Sequence, residues 1–394
     1  MKGASFSHFY KGKEHFYIGI QEMKTRERSE EKNKKTGKVI KAILIVLAAV
    51  FVIVGGYLIY AFSSYYRLPD NMTLEIVELP EASSNKAVPV GEELTAISYN
   101  IGFGAYTPDF SFFMDGGVSS WGASKESTIA DVAKAAGYVQ SYEPDFVLFQ
   151  EVDLDSTRSY HVDQEAILDE FFPKYNRVGA LDYDSPFLFW PLLQPHGSSV
   201  SELATYSVYP MTSALRRSLP VSETVTKIVD LDRCYSRITI PTENGKDLCL
   251  YTIHMSAYGM DDSVRQGQIA MISEDMNADV NAGNYVICGG DFNHDLLAAD
   301  DADVSVGWAM PFPRENLPEK MKFVLDLWPR EEVETMHHSC RDADAPYEEG
   351  VSYTITVDNF IVSDNVEITS YDIPNTGYAY SDHEPIVIRF TLQH

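Results

Sequence analysis

Residues 285–295, YVICGGDFNHD, place Asp291, Asn293, His294 and Asp295 directly after the short run Tyr285, Val286, Ile287, Cys288 and Gly289. A run of this kind, closed by Gly-Gly, predicts a strand buried on both faces. Its end is a rigid mount from which a carboxylate can be aimed at a metal ion or a water. Asp and Asn also favour turns for backbone reasons, so this segment alone fits a plain turn equally well. The arrangement recurs along the chain, however. ELTAISYN (93–100) ends in Asn100, DFVLFQE (145–151) in Glu151, LCLYTIHMS (248–256) carries His254, and SDHEP (381–385) brings Asp382 and His383. Singly, each has a structural reading as a turn cap, a helix start or a core histidine. Six such residues in series at strand ends are hard to produce by chance.

Asp358 breaks the pattern by lying inside the apolar run VDNFIVS (357–363). Buried acids are rare unless paired or hydrogen-bonded, which predicts an Asp358–His383 pair with the carboxylate fixing the imidazole tautomer. Glu151 and Asp382 are hard oxygen ligands suited to Mg²⁺, with Mn²⁺ the alternative ion. Asn100 and Asn293 can bind an anionic substrate or a ligand water without adding charge. The inventory suits hydrolysis of a phosphoester. A metal polarises the phosphoryl oxygens, a carboxylate activates water, and amide or imidazole donors meet the developing charge.

The elements that must hold these groups alternate helix and strand. Residues 125–142 have helical spacing, with Ile129, Val132, Ala133, Ala136 and Val139 on one face and Pro144 beyond the end. A second short amphipathic helix is expected at 163–172, and a long one at 264–281 leading into 285–289. Strands are expected at 203–209, 225–230, 233–240 and 247–254, the last two joined by a hairpin at Asn244-Gly245. Residues 298–341 are Pro- and acid-rich and are expected to form a long loop, the kind that in compact domains tends to be functional. The chain closes with apolar runs at 354–363 and after the SDHEP turn. Helices interspersed with hairpins argue for an α+β or α/β domain whose sheets are covered by helices.

Charge is unevenly placed along the 394 residues. Residues 1–41 hold 11 Lys/Arg and 5 Asp/Glu, and the remainder holds 20 and 53, net −33. Between the tail and the rest, residues 42–62 are 21 in a row without a charge. About 20 apolar residues cross the ~30 Å hydrocarbon core, so a single transmembrane helix is expected. Lys32, Lys34, Lys35, Lys38 and Lys41 flank its start, and the positive-inside rule puts residues 1–41 in the cytoplasm and the domain outside it. A cleaved signal peptide is the alternative, though its apolar region and its n-region would both be unusually long. Residues 63–92 read as a Pro/Ser/Glu-rich stalk and 93–394 as one domain. The four cysteines, Cys234, Cys249, Cys288 and Cys340, show no zinc spacing, and a core of this size needs no disulfide.

Taken together, SYNIG, DFVLFQEVD, YTIHMS, VICGGDFN, VDNFIVS and SDHEP resemble the successive motifs of the endonuclease/exonuclease/phosphatase superfamily, in that family's order. The resemblance implies a four-layered α/β/β/α sandwich over 93–394 with the site at one edge, preceded here by the single transmembrane helix. It implies Glu151 as the principal Mg²⁺ ligand with Asn100 and Asp382 near the metal, and Asp291 orienting or deprotonating the attacking water. Asn293 would contact the scissile phosphate, and His383, oriented by Asp358, would stabilise the transition state or act as base. His254 takes the place of a histidine that contacts phosphate or protonates the leaving oxygen. Asn359 departs from the family, which more often has Tyr or His there. The stretch STRSYHVDQ (156–164) has no counterpart in the motif set, and Arg158 and His161 are its expected substrate-binding side chains.

The acidic balance argues against avid nonspecific nucleic-acid binding, which rests on neutralising phosphates with Lys and Arg. It does not exclude a nuclease, because a bound metal inverts the local field. The expected substrate is a lipid headgroup, a nucleic acid or a sugar phosphate, with a phosphodiester ahead of a monoester. No obligate protein partner is evident. The alternative function is a membrane-tethered binding ectodomain that keeps the fold without turnover.

Overall fold

The computed structural model describes residues 5–64, 66–82, 86–221, 232–257, 262–298 and 308–394, with side chains described from Phe16 onward. The strand expected at 225–230 lies outside the described residues, as does 299–307 of the expected long loop. The chain divides into two compact units, Met1–Ser64 and Tyr65–His394.

The first unit is one helix, α1 (Ser5–Ser64). No proline occurs before Pro69, and Glu, Lys, Gln and Arg, all good helix formers, fill the stretch ahead of the apolar run. The Lys35–Glu31 pair, 2.8 Å apart at i,i+4 spacing, adds a few tenths of a kcal/mol. The helix carries the uncharged 42–62 run and, by length and composition, is long and apolar enough to cross a membrane.

The second unit opens with β1 (Met72–Thr73), β2 (Val77–Glu78), β3 (Glu93–Asn100), α2 (Lys125–Gln140), β4 (Phe146–Asp153) and α3 (Gln164–Phe171). It continues with β5 (Asn176–Leu188), β6 (Gly197–Ser207), β7 (Ser213–Ser218), β8 (Cys234–Pro241), β9 (Asp247–His254), α4 (Asp262–Asn281) and β10 (Tyr285–Asp291). The last strands are β11 (Met321–Phe323), β12 (Cys340–Arg341), β13 (Thr354–Ile355), β14 (Asp358–Ser363), β15 (Val366–Asp372) and β16 (Ile386–Leu392). They build two seven-stranded mixed sheets, ordered β1-β7-β8-β9-β10-β14-β11 and β15-β16-β3-β4-β6-β5-β2, with β12-β13 as a small ribbon.

Side-chain alternation shows how the layers stack. On β4, Phe146 and Leu148 join the large core shared with β9, β10 and β14, whereas Val147 and Phe149 join the core containing α2 residues Val132, Ala135, Ala136 and Val139. One face of that sheet therefore meets the other sheet, and the opposite face meets helices. Gly289 permits the close approach: a Cβ there would lie 2.4 Å from the Phe360 ring and 3.1 Å from Leu148. The result is the expected α+β sandwich.

Helix α2 starts where Ser124 accepts a hydrogen bond from the Ser127 N–H, and α3 where Asp163 accepts one from the Ala166 N–H. Several elements differ from the sequence expectation, β5 and β7 among them, for which the sequence predicts no strand. The apolar run at 354–363 is divided between β13 and β14, and 298–341 contains β11 and two four-residue helical turns, Val324–Leu327 and Arg330–Val333. The segment read as a stalk is not wholly a linker: Met72 pairs with Arg216 and Val77 with Arg177, so β1 and β2 extend one edge of each sheet.

Candidate active site

Each sheet contains one parallel pair at its heart, β3–β4 in one and β9–β10 in the other. Both pairs are joined through a helix, α2 or α4, as parallel strands require. Parallel neighbours end at the same side, so Asn100 stands beside Gln150 and Asp291 beside His254. Antiparallel β14 begins where β10 finishes, placing Asp358 opposite Asp291. In the same way, the start of antiparallel β16 pairs Ile386 with Ser98, which puts the preceding Asp382 and His383 beyond the end of β3. Four strand tips and two strand starts thus meet at one pole.

The side chains converge there. Asn100 Oδ1 accepts from the Gly102 N–H at 3.0 Å, which fixes the amide so that Nδ2 faces the acids. Nδ2 donates to Asp291 Oδ2 at 3.2 Å and to Glu151 Oε1 at 3.4 Å, and lies 3.4 Å from His383 Nε2. Asp291 Oδ1 accepts from the Asn293 N–H at 2.8 Å, while Oδ2 lies 3.4 Å from His254 Nε2 and 3.8 Å from His383 Nε2. Glu151 owes its orientation to a bulge in β4 between Phe149 and Val152, where its φ is +57°. Gly290 (φ +154°) sits where a Cβ would lie 1.9 Å from the Ile253 carbonyl oxygen, so only glycine lets β10 run this close to β9.

His383 Nδ1 is 2.7 Å from Asp358 Oδ2, the pairing the sequence predicts. The same oxygen accepts from Ser339 Oγ–H at 2.8 Å, and Ser339 in turn accepts from the Val357 and Asp358 N–H groups. Asp358 Oδ1 is buried without a hydrogen-bond partner. Burial works against a charged His383 ring, but the carboxylates of Asp358 and Asp382 and the hydrogen bond to Asp358 outweigh it, raising the imidazole well above its ordinary value. Burial raises the Asp382 carboxyl, with Glu151 nearby adding to the effect.

Asp291, Asp358 and His383 offer ligand atoms all within 4.8 Å of one another. Within that trio, Asp358 and His383 already form a hydrogen-bonded pair with Asp291 beside it. Glu151 and Asp382 are different. Glu151 is part-exposed, sits close enough to Asp382 to perturb it, and with it supplies hard oxygen donors that fit a divalent ion, whereas Asn100, expected beside the metal, commits Oδ1 to the Gly102 N–H and turns only N–H donors toward the acids.

Asn293 adopts φ +50°, which asparagine tolerates, and its Nδ2 donates to the Met255 carbonyl at 2.8 Å, leaving one N–H for other use. Arg158 and His161 are corrections. Arg158 is buried in a two-point ion pair with Asp153, Nε and Nη2 lying 3.1 and 2.9 Å from its carboxylate, and stacks 3.9 Å over Phe103. His161 is exposed and pairs with exposed Asp155 at 2.5 Å. Both belong to the turn after β4, which carries them off the strand axis that aims Glu151. His294 also stays structural, hydrogen-bonding the Phe292 carbonyl and packing on Phe312. Asn359 bonds Tyr371 on β15 at 2.8 Å, so it supports the sheet.

Sequence reasoning missed three residues. Asp182 on β5 lies 3.3 Å from His254 Nδ1, an ionic contact giving the second histidine a carboxylate as well. Burial opposes its charge, but His254, Arg233 and Arg158 prevail and hold its carboxyl below the usual range. Glu384 accepts from the N–H groups of Thr376 and Tyr378 at 2.9 and 3.0 Å and so anchors the loop leading into Asp382. Ser381 Oγ–H donates to the Asn100 carbonyl at 2.8 Å, fastening that loop to β3.

Comparison with known proteins adds the following. Residues 97–383 match the Exo_endo_phos profile, described as the Endonuclease/Exonuclease/phosphatase family. A search of curated proteins found no match. Among solved structures, an endonuclease/exonuclease/phosphatase from Beutenbergia cavernae is 16% identical, with 76% of this chain and 72% of that one covered at a TM-score of 0.53. One from Bacteroides vulgatus is 15% identical over 77% of this chain and 100% of that one, TM-score 0.50. D. rerio TDP2 complexed with single strand DNA product is 15% identical over 76% and 99%, TM-score 0.50. At these identities the likeness establishes a shared fold.

Proposed function

The chain belongs to the endonuclease/exonuclease/phosphatase family, and from that premise we propose that it is a divalent-metal-dependent phosphoester hydrolase, held at a membrane by α1, that prefers a phosphodiester to a monoester. One observation carries the reading. Asn100, Glu151, His254, Asp291 and the His383–Asp358 pair come from both sheets to separations of 2.7 to 3.9 Å.

Glu151 and Asp382 would hold the ion, Mg²⁺ with Mn²⁺ as alternative, which when bound would neutralise charge on the phosphoryl oxygens, while Asn100 orients the Glu151 carboxylate from its Nδ2. Asp291 receives the proton of the attacking water. Its Oδ1 is occupied by the Asn293 N–H, leaving Oδ2 beside Asn100 and the two histidines as the accepting atom. His383, kept protonated by Asp358, presents Nε2–H to the developing negative charge. His254 stands on the other side of Asp291 to steady or protonate the leaving oxygen, and the free N–H of Asn293 is available to a phosphoryl oxygen.

The commitment of one pair of adjacent arginines supports a diester. Arg216 donates to the Leu181 and Asp232 carbonyls, and Arg217 pairs with Asp70 and Asp275, so this adjacent pair is not free to clamp a monoester dianion. The basic flank of the 42–62 run supports a cytoplasmic N-terminus, an extracytoplasmic domain and a cell-membrane location. Protease added to intact cells should degrade the domain; protection would reverse this topology. The activity test is hydrolysis of a chromogenic phosphodiester by the full chain in detergent, with and without Mg²⁺, alongside Glu151→Ala and His383→Ala. Turnover that needs the ion and both side chains supports the enzyme. No turnover, or turnover indifferent to either substitution, favours the binding ectodomain.

A further inference from the structure

The β5–β6 hairpin ends in a tip that burial does not explain. From Ser185 to Gly197, SPFLFWPLLQPHG, there is no Asp, Glu, Lys or Arg. Trp190, Leu192 and Leu193 are 66%, 75% and 101% exposed. On the neighbouring segment Met114 and Val118 are 60% and 84% exposed. The two segments are tied together: Ser120 N–H donates to Gln194 Oε1 at 3.1 Å, Trp121 Nε1–H to the Pro195 carbonyl at 2.6 Å, and Phe112 packs on His196. The two segments therefore stand side by side, each with exposed apolar side chains. A contiguous exposed patch of Trp and Leu on a folded domain marks an interaction site.

Its location follows from strand register. On β6, Glu202 pairs with Val152 and Ser201 with Asp153, so the tip lies beyond the C-terminal end of β4, the end that carries Glu151. What covers it is indicated by the rest of the chain. Residues 42–62 can cross a bilayer, and the ten peptide steps from Phe62 to Met72 on β1 span at most about 33 Å. A domain so tethered cannot leave the membrane surface, where the effective concentration of lipid is very high. The tip itself is uncharged while the sequence after residue 41 carries net −33, a combination that suits zwitterionic headgroups and is repelled by anionic ones. Trp and Leu are the side chains that settle at the headgroup–acyl boundary.

We propose that the 185–197 tip, with Met114 and Val118 beside it, docks into the interface of a zwitterionic phospholipid bilayer and turns the site toward it, so that the substrate class is the phosphodiester of a lipid headgroup. The substrate half of this inference rests on the hydrolase reading; the docking half rests on the membrane anchor alone.

The four tryptophans are Trp121, Trp190, Trp308 and Trp328, none within α1, so tryptophan fluorescence reports only on the domain. The full chain is reconstituted in phosphatidylcholine vesicles whose acyl chains carry bromine, a contact quencher. Quenching is expected, lost in Trp190→Phe, abolished by Leu192→Asp/Leu193→Asp, and weaker when anionic lipid replaces phosphatidylcholine. Because Leu192 and Leu193 are exposed, their replacement leaves the fold intact and should not change hydrolysis of a soluble chromogenic diester. It should slow hydrolysis of a vesicle-borne phospholipid by roughly tenfold or more, the effect of exposing two leucines' worth of binding surface. Quenching indifferent to Trp190→Phe, or absent while the tip crosslinks a second copy or another protein, overturns the docking. Docking with vesicle hydrolysis unchanged by the double substitution overturns the lipid substrate. Failure of the wild-type chain on the soluble diester sinks the hydrolase reading, and the quenching result still decides the docking.

Discussion

Asp358→Asn isolates the contribution of one buried hydrogen bond to the chemistry. The carboxylate holds His383 Nδ1 at 2.7 Å and is itself held by Ser339 Oγ–H at 2.8 Å. An amide of the same shape keeps the volume but removes the charge that sustains the imidazolium. A hydrogen bond to a charged group is worth about 1.5–3 kcal/mol, so kcat should fall roughly 10- to 150-fold, at about 1.4 kcal/mol per decade. Ser339→Ala leaves the carboxylate and its charge beside the imidazole and should cost less than Asp358→Asn, giving a graded series. The pH dependence carries the sign. His383 is raised in the folded chain, so activity that uses its proton is present at low pH and lost as pH rises through that raised value. In Asp358→Asn the loss should occur at lower pH, because the carboxylates of Asp291 and Asp382 remain but the nearest one is gone. The assay is kcat and kcat/KM for a soluble phosphodiester from pH 5 to 10. A variant with unchanged kcat, or with a reduced kcat but an unshifted alkaline limb, would refute the assigned role of the pair.

Three further outcomes follow from features away from His383. Gly290→Ala should lower stability by roughly 2–5 kcal/mol, since its Cβ would lie 1.9 Å from the Ile253 carbonyl oxygen, and a denaturation midpoint close to wild type would contradict the packing of β9 on β10. Burial pushes the Glu202 carboxyl up to about 8, so the folded chain keeps a proton that the unfolded chain releases above its ordinary value near 4.5. Stability therefore declines across that window, and Glu202→Gln should flatten the decline in melting temperature between pH 5 and 8. Arg158→Ala should lower stability by about 3–5 kcal/mol by stranding buried Asp153, with KM for the phosphodiester unchanged; a raised KM at unchanged melting temperature would return Arg158 to the substrate site.

The sequence exposed the site better than it exposed the framework. Asn100, Glu151, His254 and Asp291 could be found because each follows an apolar run, and Asp358 because a carboxylate amid Val, Phe and Ile needs a partner. The longest strand, β5, was hidden. NRVGALDYDSPFL mixes Arg177, Asp182 and Asp184 with its apolar residues: Arg177 is compensated across elements by Glu165 and Asp169, Asp182 by Arg233 and His254, and Asp184 is exposed. With β5 unread, Asp182 could not be placed beside His254, although the alternation Val178, Ala180, Asp182 was the available signal. Arg158 was misplaced for the opposite reason. Its nearness to Glu151 in sequence suggested shared purpose, while the turn at Thr157–Ser159 swings it toward Asp153. Strands β1 and β2, two residues each, leave no periodicity to read.

The order in which the pole is assembled has a consequence for biosynthesis. β3 leaves the ribosome well before β16, one of its two neighbours in the finished sheet, and the turn ahead of β16 delivers His383. Half-made chains therefore own several acids and no imidazolium facing them. If the chain is the hydrolase proposed above, it would gain that imidazolium only when β16 slides in between β15 and β3.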